Sequence, residues 1–276
     1  MNTGNWLAGA TAKLNAAGIG TARLDALVLL EDITKKDRGH LLAEPEVELL
    51  PAEIAVLTNL LNRRTTHEPL AYVRGRTEFY GRNFVITPDV LEPRPESETM
   101  IELLIKLSQG LNTGDKVWVA DVGSGSGALG ITAKFELPNL GVDLIDIDEK
   151  ALEVSKTNVD LFTISISVIK SDLLTSAMRD YDILLCNLPY IPDNYQINTA
   201  ALHEPRIAIF GGLDGLDVYR KLFDQIKILS KKPLYILTES LPPQHHDLEL
   251  IAATTGYQLY DSEDFIQVFV RRSSGV

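Results

Sequence analysis

The chain has 276 residues, 26 basic against 38 acidic, and a formal net charge of −12, a balance that argues against broad affinity for nucleic-acid backbone, which needs clustered Lys and Arg. Its single cysteine, Cys186, rules out an internal disulfide framework, and five scattered histidines offer no metal-ligand spacing, so no metal is expected. No apolar run approaches the roughly 18 residues of a membrane helix and no signal-like start is visible, which reads as a soluble, cytoplasmic protein.

From Asn5 to about Arg64 apolar residues recur at helical steps: Leu24, Leu27, Val28 and Leu30, then Ile54, Leu57, Leu60 and Leu61. Breaks fall at Gly18-Ile19-Gly20, Gly39 and Pro45, and Pro51 suits the first turn of a new helix. The reading is a small bundle of short helices over residues 1–66. Residues 1–80 carry nine basic and ten acidic side chains, so almost all of the net charge falls on the remainder. The basic residues Arg63, Arg64, Arg74, Arg76 and Arg82 form either a solvated surface or a patch for an acidic or RNA-associated partner.

Residues 67–92 read as short strands, a β-hairpin linker: Tyr72-Val73, Glu78-Phe79-Tyr80 and Asn83-Phe84-Val85-Ile86 are separated by Gly75 and Gly81. In Leu91-Glu92-Pro93-Arg94-Pro95-Glu96-Ser97-Glu98 two prolines stiffen an extended loop ahead of a helix over 99–107. Beyond Gly110 strands and helices alternate. Strands are expected at 117–122, 141–147, 165–169, 181–186, 234–238 and 265–271, with helices at 128–135, 149–161, 217–229 and 245–255. Such alternation predicts an open, mostly parallel sheet covered on both faces, here a catalytic domain over 93–276.

Asp121-Val122-Gly123-Ser124-Gly125-Ser126-Gly127 lies between a strand and a helix, where glycines allow a tight turn and close approach of a ligand to the backbone. Gly123-x-Gly125-x-x-Ala128 also fits a dinucleotide fingerprint, and Asp146, at the end of the next strand, suits the ribose of NAD or of S-adenosylmethionine equally. Asp121 tilts the balance toward the methyl donor, because an acid ahead of the turn can face an ammonium group that NAD lacks. Asp172, after the third strand, is placed either to receive an adenine amino group or to cap a turn.

Asn187-Leu188-Pro189-Tyr190 separates these readings. An amide nitrogen is a poor nucleophile because its lone pair is delocalised, so its methylation demands alignment with the methyl donor and acceptors for its two protons. The Asn187 side-chain oxygen and the Leu188 carbonyl supply acceptors, Pro189 fixes the turn, and Tyr190 offers a stacking face. Alignment alone is worth roughly 7–11 kcal/mol in favourable systems. No general base is evident.

With these residues in hand, the chain resembles the PrmC/HemK family of protein-(glutamine-N5) methyltransferases that act on peptide-chain release factors. The resemblance spans Leu24-Asp25-Ala26, the stretch from Glu68 to Gly81, Pro93-Arg94-Pro95-Glu96-Ser97-Glu98, both turns, and Glu204-Pro205-Arg206 running into Gly211-Gly212-x-Asp214-Gly215. It implies a Rossmann-like α/β methyltransferase domain. By it, the backbone of Gly123, Ser124, Gly125, Ser126 and Gly127 with Asp121 holds the methionine end of S-adenosylmethionine, Asp146 the ribose, and Asp172 with Leu173 the adenine, beside Asn187. Asn187, Leu188, Pro189 and Tyr190 hold the substrate glutamine, with Leu91, Arg94, Pro95 and Glu96 lining its approach.

The resemblance further implies that the substrate is the glutamine of a release factor's Gly-Gly-Gln loop, met in part by the N-terminal helices; the protein itself is expected to be a monomer. Three departures stand out. Leu188 replaces the family's usual first proline of the turn, and the Asn-Leu-Pro-Tyr form is shared with RNA adenine-N6 methyltransferases, which makes RNA or DNA adenine the alternative substrate. Glu92 stands where an apolar residue is usual. Residues 231–244 lack the expected glycine pair and Glu-x-Gly-x-x-Gln pattern, and together with Leu188 this leaves a catalytically silent binding protein as the third reading.

Overall fold

The computed structural model describes residues 1–110 and 116–272. These fall into two compact units, Met1–Arg76 with Ile197–His203, and Thr77–Gln196 with Glu204 onward. No helix among the described residues is long and apolar enough to cross a membrane.

The first unit is a helical bundle: α1 (Thr3–Ala16), α2 (Ala22–Thr34), α3 (Arg38–Ala43), α4 (Pro51–Thr65) and α5 (Leu70–Arg74). Local chemistry sets several helix ends. The Asn2 side chain accepts from the Asn5 N–H, Asp37 from His40, and Glu53 reaches back to the Leu50 N–H behind Pro51. Trp6, Leu14, Leu29, Leu30 and Leu57 share the buried core.

One expectation changes here. Tyr72 and Val73 lie in α5 rather than in a strand, because Pro69 opens a short helix and Gly75, at φ 72°, closes it, turning Val73 into the bundle core. Of the arginine cluster, Arg63 pairs with Glu68, Arg64 with Asp25, and Arg74 and Arg76 with Asp32; in the second unit Arg82 pairs with Glu136. The five guanidinium groups thus have carboxylate partners within the chain, with Arg63 and Arg76 still 38% and 41% exposed.

The second unit begins with a hairpin, β1 (Arg76–Phe79) and β2 (Arg82–Val85), followed by the loop to α6 (Glu98–Ser108). The alternating segment then runs β3 (Trp118–Val122), α7 (Ala128–Glu136), β4 (Gly141–Asp146), α8 (Glu149–Phe162), β5 (Ser167–Lys170) and β6 (Ile183–Cys186). After α9 (Arg206–Ile209) come α10 (Asp217–Lys227), β7 (Tyr235–Glu239), α11 (His245–Ala253), β8 (Tyr257–Glu263) and β9 (Ile266–Arg271). The sheet order is β5-β4-β3-β6-β7-β9-β8, parallel from β5 to β7, with β9 antiparallel to both of its neighbours.

Side chains alternate across this sheet as the strand period requires. Val119, Ile183 and Leu185 enter a core with Leu104 and Ile131, whereas Ala120, Leu184 and Cys186 face Leu222, Phe223 and Leu248 on the opposite side. Burial on both faces explains the unbroken apolar run of β6. Strand β8 escapes the sequence reading because it is an edge strand exposed over most of its length. Connections reverse direction beside β3, and a crevice at the carboxyl ends of such strands is where open α/β sheets bind ligands.

Candidate functional site

A cavity of about 300 Å³ opens at those strand ends. Its floor is the glycine turn after β3. Gly123, Gly125 and Gly127 have φ values of 74°, 54° and 80°, which favour glycine, and the turn is held from below. The N–H groups of Gly123 and Ser124 donate to the Ile145 carbonyl at 2.8 and 3.0 Å, Ser155 donates to the Gly125 carbonyl, and Asn158 to that of Ser126. Asn158 also exchanges hydrogen bonds with the backbone of Val85, coupling hairpin to turn.

Asp146, at the end of β4, receives the Gly125 N–H on one oxygen and the Asp148 N–H on the other, both at 2.9 Å. The Ile147 N–H acts on the same carboxylate, which with four lone-pair sites keeps acceptor capacity for a ligand hydroxyl. Burial raises its pKa, against which the backbone donors act. Asp121 is 1% exposed, accepts the Gly130 N–H at 2.8 Å, and is pushed up to about 7, chiefly by burial. Both residues line the cavity.

Across the cavity, Asp172 pairs with Lys221, and Gln225 of α10 clips the loop from both sides, donating to the Asp172 carbonyl and accepting from the Leu174 N–H. Leu173 between them has φ 53° and also lines the cavity.

The wall after β6 carries Asn187, Leu188 and Pro189. Leu188 is buried, with its side chain against the glycine turn: a Cβ added to Gly123 would stand 2.9 Å from the Leu188 Cδ2. The Asn187 Nδ2 donates to the Ser97 hydroxyl at 2.9 Å, which donates to Glu239 at 2.5 Å; Tyr190 donates to the other Glu239 oxygen at 2.9 Å. Glu239 closes β7 and is almost wholly buried. Behind the turn, the Tyr219 hydroxyl lies 2.9 Å from the Cys186 carbonyl and 2.5 Å from that of Glu239.

The segment from Gly211 to Gly215 closes on the same turn. Gly211 N–H donates to the Ile191 carbonyl, and a Cβ on Gly211 would come within 2.3 Å of the Pro189 carbonyl oxygen. Gln244 donates to the carbonyls of Tyr190 and Asp214 at 2.8 and 2.7 Å.

Of the residues singled out from sequence, Asp121, Gly123, Ser124, Gly125, Ser126, Asp146, Asp172, Leu173, Asn187, Leu188, Pro189 and Leu91 meet around this cavity. Gly127 supports the turn from beneath, and Tyr190 stands behind the wall on Glu239. Pro95 and Glu96 are exposed outside the lining, and Arg94 pairs with the buried Glu204 at 2.5 Å. Ser97, Glu239 and Gln244 were not singled out as site residues. Glu239-x-Leu241-x-x-Gln244 keeps the acidic and amide ends of the Glu-x-Gly-x-x-Gln spacing, with Leu241 for glycine, which corrects the reading of that segment as lacking the pattern.

The cavity suits S-adenosylmethionine: its size falls in the range of small-molecule sites, a strand-end carboxylate has lone pairs to spare for ribose hydroxyls, and a second buried carboxyl offers a counter-charge for a cationic ligand. Residues 5–75 match the model of the PrmC N-terminal domain and residues 101–204 that of the methyltransferase small domain. The chain is 34% identical over 240 residues to the release factor glutamine methyltransferase of Coxiella burnetii, covering 86% of each protein. It is 36% identical over 220 residues to that of Koribacter versatilis, covering 77% of each.

A bifunctional methyltransferase of Rickettsia typhi is 35% identical over 228 residues, 75% of this chain and 44% of that one. Among solved structures, the hMettl16 catalytic domain in complex with the MAT2A 3'UTR hairpin 1 superposes with TM-score 0.56 at 14% identity, over 87% of this chain and 86% of that one. A methyltransferase from Pyrococcus furiosus does so with TM-score 0.51 at 15% identity, over 80% and 99%. These likenesses are of fold: the Rossmann-like methyltransferase sheet expected from the sequence. The chain belongs to the release factor glutamine methyltransferase family, whose members are S-adenosylmethionine-dependent enzymes.

Proposed function

We propose that this protein methylates the side-chain N5 of the glutamine in the Gly-Gly-Gln loop of a peptide-chain release factor, as a cytoplasmic monomer serving translation termination. The observation that carries the reading is the orientation of Asn187. Its Nδ2 is committed to Ser97, which leaves Oδ1 as the acceptor beside the cavity. A substrate amide NH2 needs two acceptors, and the Leu188 carbonyl is the second.

S-adenosylmethionine, when bound, supplies an electrophilic methyl group. Asp146 would hold its ribose, Asp121 its ammonium, and Asp172 with Leu173 its adenine. Holding the amide nitrogen in one place does most of the work, because a delocalised lone pair reacts only when aligned. The apolar Leu91, Phe79 and Pro189 beside the cavity keep water from competing for the acceptors.

The test is incubation with labelled S-adenosylmethionine and a release factor, followed by mass spectrometry of the Gly-Gly-Gln peptide. Label on that glutamine is expected. Label on RNA or DNA adenine instead would replace the reading by its adenine-N6 alternative, which rests on Leu188 alone, and no turnover on either would leave a binding protein.

A further inference from the structure

Glu239 does not line the cavity, yet both of its carboxylate oxygens are spoken for by residues of the substrate wall. Ser97 donates to Oε2 and Tyr190 to Oε1. It reaches them from the end of β7, where its backbone pairs with Ile266 and its carbonyl lies 2.5 Å from the Tyr219 hydroxyl.

Burial raises the Glu239 pKa, and the hydrogen bonds from Ser97 and Tyr190 act against it by favouring the ionised form; as a carboxylate it accepts and cannot donate, and a hydroxyl has one hydrogen to give. The Ser97 hydrogen therefore goes to Glu239, and toward Asn187 the Ser97 oxygen acts only as an acceptor. An Asn side chain can turn either its NH2 or its C=O toward a neighbour; here only the NH2 is compatible. Asn187 lines the cavity, and with Nδ2 taken, Oδ1 is the amide atom left for a ligand there.

We infer that Glu239 is a positioning residue that sets the polarity of the substrate site: through Ser97 it fixes which face of the Asn187 amide meets the substrate, and through Tyr190 it holds the ring that follows. The inference rests on the proposed function, in which Asn187 Oδ1 accepts from the substrate amide. Replacing the carboxylate by an amide removes the direction from the relay. With its NH2 toward Ser97, a glutamine frees the serine hydrogen for Asn187 Oδ1, the Asn187 amide turns over, and a donor meets the incoming NH2.

The experiment compares Glu239→Gln, Ser97→Ala and Ser97→Thr in the full chain, measuring single-turnover methyl transfer to a release factor, cofactor Kd and thermal stability. The expected result is a loss of about 10- to 100-fold in rate for Glu239→Gln and Ser97→Ala, short of the full effect of deleting an oriented polar group. Cofactor Kd should stay within about twofold, Ser97→Thr should restore most of the rate, and the Glu239→Gln/Ser97→Ala double variant should be no slower than either single, because both cut one relay.

A purely structural role would instead lower stability and cofactor affinity together with the rate, and that pattern overturns the inference. So does wild-type turnover in Glu239→Gln. Should Glu239→Gln fail to fold, the contrast between Ser97→Ala and Ser97→Thr decides, equal rates in the two overturning the relay. Failure of the proposed function has a different signature: the wild-type protein leaves glutamine unlabelled.

Discussion

The backbone of Gly215 lies so close to Tyr190 that a Cβ at this glycine would stand 2.1 Å from the Tyr190 carbonyl oxygen, the same oxygen that accepts from Gln244. With φ at 82°, the position also disfavours any L side chain. Gly215→Ala must push the turn after β6 aside or unfold its clamp. The expected result is a stability loss of about 2 kcal/mol or more and at least a tenfold fall in methyl transfer, read by thermal denaturation and single-turnover rates.

Asn187→Ala removes one acceptor without touching the glycine turn. Transition-state stabilisation should fall by about 2–4 kcal/mol, by analogy with removing one oriented polar group elsewhere. Cofactor binding, measured by calorimetry, should hold. Asp146→Ala should show the converse, with the cofactor Kd raised. Unchanged rate in the first variant would remove Asn187 from the chemistry.

Asp121 gives the site a pH signature. Its carboxyl titrates near 7 in the folded protein against 3.8 ordinarily, so the folded state holds a proton that the unfolded chain releases, and stability should fall as pH rises from about 4 to about 7. A cation placed beside it favours the ionised form, so binding of the cofactor should expel that proton. Affinity should therefore climb with pH by up to about tenfold per unit below 7 and level off above. Calorimetry at pH 6 and 8 measures this, and Asp121→Asn should flatten the dependence.

Arg94 faces Glu204, which is 1% exposed and whose pKa burial raises while Arg94 draws it down. Arg94→Ala should lower stability by about 2 kcal/mol, less than the 3–5 kcal/mol of pairs buried on both sides because Arg94 is 36% exposed. Adding Glu204→Gln should restore most of it. Full stability with a raised KM for the protein substrate would mean instead that Arg94 meets the substrate.

The parts of this molecule legible in its sequence are those written in local pattern. The apolar run ending at Cys186, the glycines at 123, 125 and 127 and the acid at Asp146 each announce an element boundary within a few residues. Tyr72 and Val73 misled because their strand-forming side chains lie between Pro69 and Gly75, whose backbone preferences made a helical turn instead. The edge strand β8 had no apolar alternation to betray it.

The relay from Asn187 through Ser97 to Glu239 was hidden for another reason. Its members come from three separate segments, and nothing near any one of them in sequence indicates the others. Arg94 shows the same limit, since its carboxylate partner Glu204 belongs to a different segment of the chain. Hydrogen-bond direction, unlike hydrophobic period, is a property of the folded neighbourhood.

Strand β9 pairs with both β7 and β8, and its Ile266 sets the register of Glu239, while the Phe265 carbonyl receives the Ser240 N–H just beyond. Glu239 thus stands at the end of the strand where the sheet changes from parallel to antiparallel, with β7 paired to β6 on one side and to β9 on the other, so the carboxylate behind Asn187 is fixed by both halves of the sheet at once.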